Sequence, residues 1–144
     1  GLQDLFEGKG EYGQITFLAP SNLAIMTYMF NNNFRRVNEI PAAECRRLLE
    51  KLIIPQRILT SDVPRGSRSE ATGEKTGGKT YTLMDGSEAF LWTFQESYLG
   101  VGNAGAVHLW FFIEKFATSR RIYSSNIQTE NGVVQALGHD FLFE

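Results

Sequence analysis

Ile15-Thr-Phe-Leu-Ala-Pro20 and the Ser21-Asn-Leu-Ala-Ile-Met-Thr-Tyr-Met-Phe30 that follows it decide how this chain is read, because the structural period changes at the proline between them. The first piece is a short apolar run of the kind that makes a buried strand, and Pro20 closes it. Ser21 or Asn22 then supplies a side-chain oxygen as helix N-cap. Residues 23–30 are apolar on nearly every side, which predicts a short helix in the centre of the core rather than one on the surface. Asn31-Asn-Asn33 ends it.

Working outward, Gly8 to Gly13 reads as a glycine-rich turn leading into the strand. Downstream, a second helix is expected from Pro41 to about Ile54, with Cys45, Leu48, Leu49, Leu52 and Ile53 on one stripe and Glu44, Arg46, Arg47 and Glu50 facing water. Pro55 stops it. Arg57 to Asp62 continues as an extended segment into a polar, glycine-rich loop from about Pro64 to Lys79, which has no core of its own.

From Thr80 the pattern becomes strand-like: Tyr81-Thr-Leu-Met84, an Asp85-Gly86 turn, then Ala89-Phe-Leu-Trp-Thr-Phe94 with Phe90, Trp92 and Phe94 on one face. A glycine turn from Gly100 to Gly105 precedes Val107-His-Leu-Trp-Phe-Phe-Ile113, whose odd positions are all apolar. Extended pieces near Arg121-Ile-Tyr123 and Val133-Val-Gln-Ala-Leu137 complete the chain. Helices first and strands later describe an α+β domain, and no repeat or linker divides residues 1–144, so one domain is expected.

Bulk composition narrows the function. A 144-residue chain that is 42% hydrophobic fills one core, and 14 basic against 16 acidic side chains leave a net charge of −2, too weak a field to gather nucleic acid or an anionic membrane. The pairs Arg35/Arg36, Arg46/Arg47 and Arg120/Arg121 are dispersed and read as solvated edges. Cys45 is the one cysteine, which excludes an intrachain disulfide and a cysteine-rich zinc site. No apolar run is long enough to span a bilayer, and Gly1 before Leu2 reads as a cloning remnant, so any export signal or membrane anchor is expected outside this sequence.

Several motifs suggest chemistry and lack its context. Gly73-Glu-Lys-Thr-Gly-Gly-Lys-Thr80 satisfies the phosphate-loop pattern letter for letter, but such a loop must leave a strand and open a helix, and here a strand follows. Gly8/Gly10/Gly13 and Gly100/Gly102/Gly105 match a dinucleotide fingerprint and are better read as turns. His108 and His139 are the only imidazoles and sit at no metal-binding spacing. Cys45 lacks an evident imidazole partner and no Gly-x-Ser-x-Gly elbow is present. The expectation is therefore no catalytic residue, no metal and no cofactor, and no Asn-x-Ser/Thr sequon marks the chain for glycosylation.

Two distant segments together resemble the fasciclin-like domain family. Ile15-Thr-Phe-Leu-Ala-Pro-Ser-Asn-Leu-Ala24 is similar to that family's first signature, and Asn126-Ile-Gln-Thr-Glu-Asn-Gly-Val-Val-Gln-Ala-Leu137 to its second. Leu48 to Asp62 and Lys79-Thr-Tyr-Thr-Leu83 fall where the family has a leucine-rich helix, an extended segment and a strand. The chain departs from the pattern at Lys51-Leu52, where the family has Tyr-His, and at Gln135, where it has histidine; functions of the Tyr-His region are not carried over. The family's opening helix is reduced to Leu2 to Glu7.

The resemblance implies a wedge-shaped β sandwich with short helices toward the N-terminal half, and an extracytoplasmic adhesion module, secreted, lipid-anchored or otherwise held at the cell surface. Its partner would be a protein or matrix component, without enzymatic activity and without nucleic acid. Thr16, Phe17, Ala19, Pro20, Asn22, Asn131 and Gly132 are expected to be scaffold, Asn22 by capping the helix and Asn131-Gly132 by forming a positive-φ turn. Partner-contacting residues are unassigned, apart from His108, Trp110 and Phe112 on one side of a strand. Those rings carry the alternative function, binding of a carbohydrate by exposed aromatics.

Overall fold

A computed structural model describes residues 2–9, 13–116 and 118–143. Three α-helices, α1 (Leu2–Phe6), α2 (Asn22–Asn31) and α3 (Ala42–Glu50), lie in the first third of the chain among strands β1 (Ile15–Ala19) and β2 (Ile53–Ile54). Seven further strands follow: β3 (Gly66–Arg68), β4 (Lys75–Gly77), β5 (Lys79–Thr82), β6 (Glu88–Gln95), β7 (Val107–Ile113), β8 (Arg120–Thr129) and β9 (Gly132–Leu137).

Seven of the strands make one sheet in the order β2-β1-β9-β8-β7-β6-β5, and β3-β4 form a separate ribbon. The expected α+β class is present, but the sheet is hydrogen-bonded throughout and is not divided into two. Its bend is at β8. The first residues of that strand, Arg120 and Arg121, pair with β7, while Ile122 to Thr129 pair with β9 across register shifts on both sides of Ser124. A strand that changes neighbours through a bulge turns a corner. Leu18, Ile54 and Leu137 from one limb therefore share a core with Leu91, Leu109 and Phe111 from the other.

β1 and β9, the strands of the two signature segments, lie side by side in parallel, from Ile15 opposite Gly132 to Ala19 opposite Ala136. Such pairing needs a long crossover, and here nearly the whole domain is the crossover. β1 is covered on both faces, which suits its unbroken apolar run. Leu18 faces the main core, while Ile15 packs with Leu5 and Ile53 under α1.

Three expectations are corrected. α2 is not central: Ala24 and Tyr28 are buried, whereas Met26 is 64% and Phe30 83% exposed. An all-apolar helix has no preferred face, and only one narrow stripe meets the sheet. α3 ends at Glu50 rather than Ile54, because Ile53 and Ile54 pair antiparallel with Phe17 and Thr16; two fully buried isoleucines satisfy a strand better than a helix end. Residues 64–79 are not a plain loop. Ser67 opposite Thr76 and Arg68 opposite Lys75 build the β3-β4 ribbon, which lies against β6 through the Arg65–Thr93 bridge.

Thr16 is fully buried between two backbone partners: its hydroxyl donates to the Gln56 carbonyl at 2.7 Å and accepts from the Ile58 amide at 2.8 Å. Thr16→Val keeps the shape and orphans both, so urea unfolding should show a loss of about 2–3 kcal/mol. A loss below about 0.5 kcal/mol would mean the two groups find other partners.

Candidate functional site on the outer face of the central hairpin

β6 and β7 pair from Ala89–Ile113 to Gln95–Val107, so cross-strand neighbours share a face. The inner set is Ala89, Leu91, Leu109, Phe111 and Ile113, all in the main core. The outer set pairs Phe90 with Phe112, Trp92 with Trp110 and Phe94 with His108. The rings form a ladder: Phe90 stacks on Trp92 at 5.1 Å and Trp92 on Trp110 at 6.1 Å.

Cover over this ladder is graded. At one end the ribbon lays Arg68 on the Phe112 ring, with Cζ 3.5 Å from its centroid, and brings Lys75 within 5.5 Å of Phe90 and 5.7 Å of Phe112. Phe90, Trp92 and Phe112 are buried there. At the other end the ribbon has ended, Trp110 and His108 are partly exposed, and Phe94 is 54% exposed. Of the three rings expected to contact a partner, Phe112 is therefore under the ribbon, while His108 and Trp110 stand at the open end.

Polar groups border that end. His108 Nε2 lies 3.0 Å from Glu96 Oε1, an ion-pair distance, but the contact is off the N–H direction and the nitrogen has no hydrogen bond. Across the sheet, Arg121 sits opposite Trp110. It is exposed, and its guanidinium makes no hydrogen bond or ion pair among the described residues. Two residues further along β8 is Tyr123, 72% exposed, at the register shift between Ile122 and Ser124. Sequence reading missed Arg121, because only the β7-β8 register places it opposite Trp110.

Beyond Phe94 the hairpin ends in an apolar tip. Tyr98 and Val101 exchange amide–carbonyl hydrogen bonds of 3.0 and 2.9 Å across Leu99 and Gly100. Both central residues have positive φ, +50° and +78°, as the hairpin type I′ turn requires. For leucine that backbone costs about 1 kcal/mol, and the side chain it projects is 85% exposed.

The scaffold residues fall elsewhere. Asn131 Nδ2 donates to the Phe6 carbonyl at 2.7 Å and ties α1 to the β8-β9 turn. Gly132 has φ +156° and packs on the Ile15 backbone, while Asn131 keeps negative φ, so the positive-φ turn narrows to the glycine. Phe17 meets Phe6 edge-on at 5.2 Å, Ala19 closes the β1-β9 ladder, and Pro20 lines an apolar cleft with Ile25 and Ile40. Asn22 is not the cap. The Ser21 hydroxyl accepts from the Ala24 amide at 3.3 Å, and Asn22 is the exposed first residue of α2. Gln135 is fully buried, accepting from the Asn126 amide at 2.8 Å and donating to the Ile58 carbonyl at 3.2 Å, so it clamps the β8 bulge.

The phosphate-loop lookalike belongs to the ribbon and to β5: Lys75 to Gly77 is β4, and Thr80 lies within β5, whose next element is the strand β6. The fingerprint at Gly100/Gly102/Gly105 is the β6-β7 turn, and the one at Gly8/Gly10/Gly13 includes Gly10, outside the described residues. No cluster of three or more metal-ligating side chains occurs among the described residues. No helix among them is long and apolar enough to cross a membrane.

A small pocket of about 190 Å³ opens between α2 and α3, lined by Tyr28, Glu44, Arg47 and Lys51. Its acid is engaged: Tyr28 donates to Glu44 at 2.6 Å and Arg47 holds both carboxylate oxygens. The Arg47 guanidinium, then the Tyr28 hydroxyl, lower the Glu44 carboxyl from 4.5 to about 2. A depressed carboxyl contributes stability above its unfolded value, and that contribution is lost as pH falls through the folded one. Thermal unfolding should therefore show the clamp weakening between about pH 4.5 and about pH 2, with a flatter profile in Glu44→Gln. An identical slope in both proteins would contradict the clamp.

Among solved structures, the chain is similar to a FAS1 domain pair from the insect cell adhesion molecule fasciclin I, at 15% sequence identity and a TM-score of 0.54, over 96% of this chain and 44% of that one. The likeness establishes a fasciclin-like fold, and this chain spans less than half the length of that pair. No protein-family model and no curated protein sequence matches it.

Proposed function

We propose that this chain is a single non-enzymatic module of the adhesion type, working outside the cytoplasm and holding a protein or matrix partner through the tip of the β6-β7 hairpin. The observation that carries this is the tip: a strained, doubly hydrogen-bonded turn that holds an exposed leucine between Tyr98 and Val101. A few anchors contribute most of the energy of an interface, and a turn already held in its bound conformation loses little ordering entropy on binding. The fold likeness to part of a cell adhesion molecule agrees with that use.

A carbohydrate partner is the second reading, favoured by the exposed Phe94 beside the partly exposed Trp110.

The test is cell adhesion to surfaces coated with the domain. Leu99→Ser should lower adhesion roughly tenfold, the loss of about 1.4 kcal/mol at an anchor, while leaving the unfolding midpoint unchanged or raised. Adhesion equal to that of the unaltered domain, or none above an uncoated surface, would sink the reading.

A further inference from the structure

The open end of the aromatic ladder combines three features that the tip lacks. Phe94 and Trp110 present ring surface to solvent, Arg121 borders Trp110 as a guanidinium without a partner among the described residues, and Glu96 stands on the other side as a half-exposed carboxylate beside His108. We infer that this patch is a binding site for a neutral glycan, whose pyranose rings lie on Trp110 and Phe94 while Arg121 and Glu96 hydrogen-bond its hydroxyls. The inference rests on the carbohydrate reading above and adds the residues and the ligand's charge.

The chemistry selects the ligand. A pyranose has an apolar C–H face and a rim of hydroxyls that both donate and accept. Arg121 offers only donors and ionised Glu96 only acceptors, so the two ends of the patch match the two halves of each hydroxyl's capacity. A protein covering the same patch would have to bury two opposite charges held on opposite sides of β7, which costs several kcal/mol unless each meets its own counter-charge. Hydroxyls leave both groups hydrogen-bonded and partly wet. The bordering charges cancel, which favours a neutral sugar over a sulfated or uronate polymer, and Glu96 opposes an anionic lipid surface.

The ribbon sets the length of the site. Arg68 over Phe112 closes the ladder on one side, so the exposed run extends from Trp110 to Phe94 across two strands, with Arg121 at its β8 margin. Neighbouring strands are about 4.8 Å apart, so this is room for two or three sugar residues lying across the strands.

The experiment is an amide-shift titration of the ¹⁵N-labelled domain with cellohexaose, laminarihexaose, chitohexaose and mannohexaose at millimolar concentration. At least one hexaose should shift Phe94, His108, Trp110 and Arg121. Its affinity should fall roughly tenfold or more in Arg121→Gln and in Glu96→Gln, exposed substitutions that leave folding intact, and further in Trp110→Ala. Leu99→Ser should bind the sugar as the unaltered domain does. Failure of every hexaose to bind, shifts confined to another surface, or unchanged affinity in Arg121→Gln and Glu96→Gln would overturn the site. Sugar binding by a domain that supports no adhesion, or whose adhesion Leu99→Ser leaves unchanged, would instead contradict the adhesion reading alone.

Discussion

Gly132→Ala should be the most damaging single-methyl change in the molecule. A Cβ at this position would lie 1.9 Å from the Ile15 carbonyl oxygen and 2.9 Å from its carbon, both backbone atoms held by the β1-β9 ladder. No rotamer relieves that overlap, so β1 must move away from β9, and with it the pairing that joins the ends of the chain. The expected loss is on the order of 3 kcal/mol or more, a large share of the roughly 5–15 kcal/mol that holds a domain folded. Urea unfolding followed by tryptophan fluorescence reads it directly. A midpoint within error of the unaltered protein would show that the strands do not approach at Gly132.

Phe141→Ala is expected to rank beside it, for a different reason. Phe141 is 1% exposed and is the hub of an aromatic cluster, 4.9 Å from Phe116, 5.6 Å from Phe143 and 6.0 Å from Phe111. Phe143 continues to Tyr28 on α2 at 5.8 Å. Removing the hub leaves a cavity between the sheet and the helices that backbone relaxation cannot fill, so a loss of about 3–5 kcal/mol is expected. The effect should appear as a fall in the urea midpoint and as faster amide exchange in α2, whose sheet-side contact passes through this cluster. A loss below about 1 kcal/mol would mean that Phe141 is not packed as described.

Neither residue stood out equally in the sequence, and the contrast shows what was legible. Gly132 lies in a recognisable segment, next to Asn131 and before an alternating apolar run. Phe141 follows the last strand in Gly138-His-Asp-Phe-Leu-Phe143, where no period marks a buried face, and only the folded sheet makes it a core residue. The β6-β7 hairpin was readable because strict alternation sorts its residues onto two faces. Which part of the outer face is covered was not, since that depends on where a ribbon of Gly, Ser, Thr and Lys ends in space. The ribbon itself was hidden by its polarity: Arg68 and Lys75 contribute by lying on aromatic rings far along the chain.

The same limit explains the misplaced helix. Residues 23–30 have enough apolar surface for a central position, but composition does not say which neighbours exist to cover it. Ala24 and Tyr28 meet the core, and Met26 and Phe30 face solvent. The α3 boundary moved for a comparable reason, because Ile53 and Ile54 fit both a helical stripe and a strand, and the free edge of β1 chose between them.

The hairpin face is held in place by the frame that β1 and β9 close, so the parallel contact between these strands is the premise of the whole account. Its most direct test is a nuclear Overhauser spectrum of the isotopically labelled domain. Backbone contacts between the Phe17 and Val134 neighbourhoods, in the staggered pattern of parallel strands from Ile15–Gly132 to Ala19–Ala136, are the predicted result. Their absence, or the close Hα–Hα contacts of antiparallel neighbours, would contradict it.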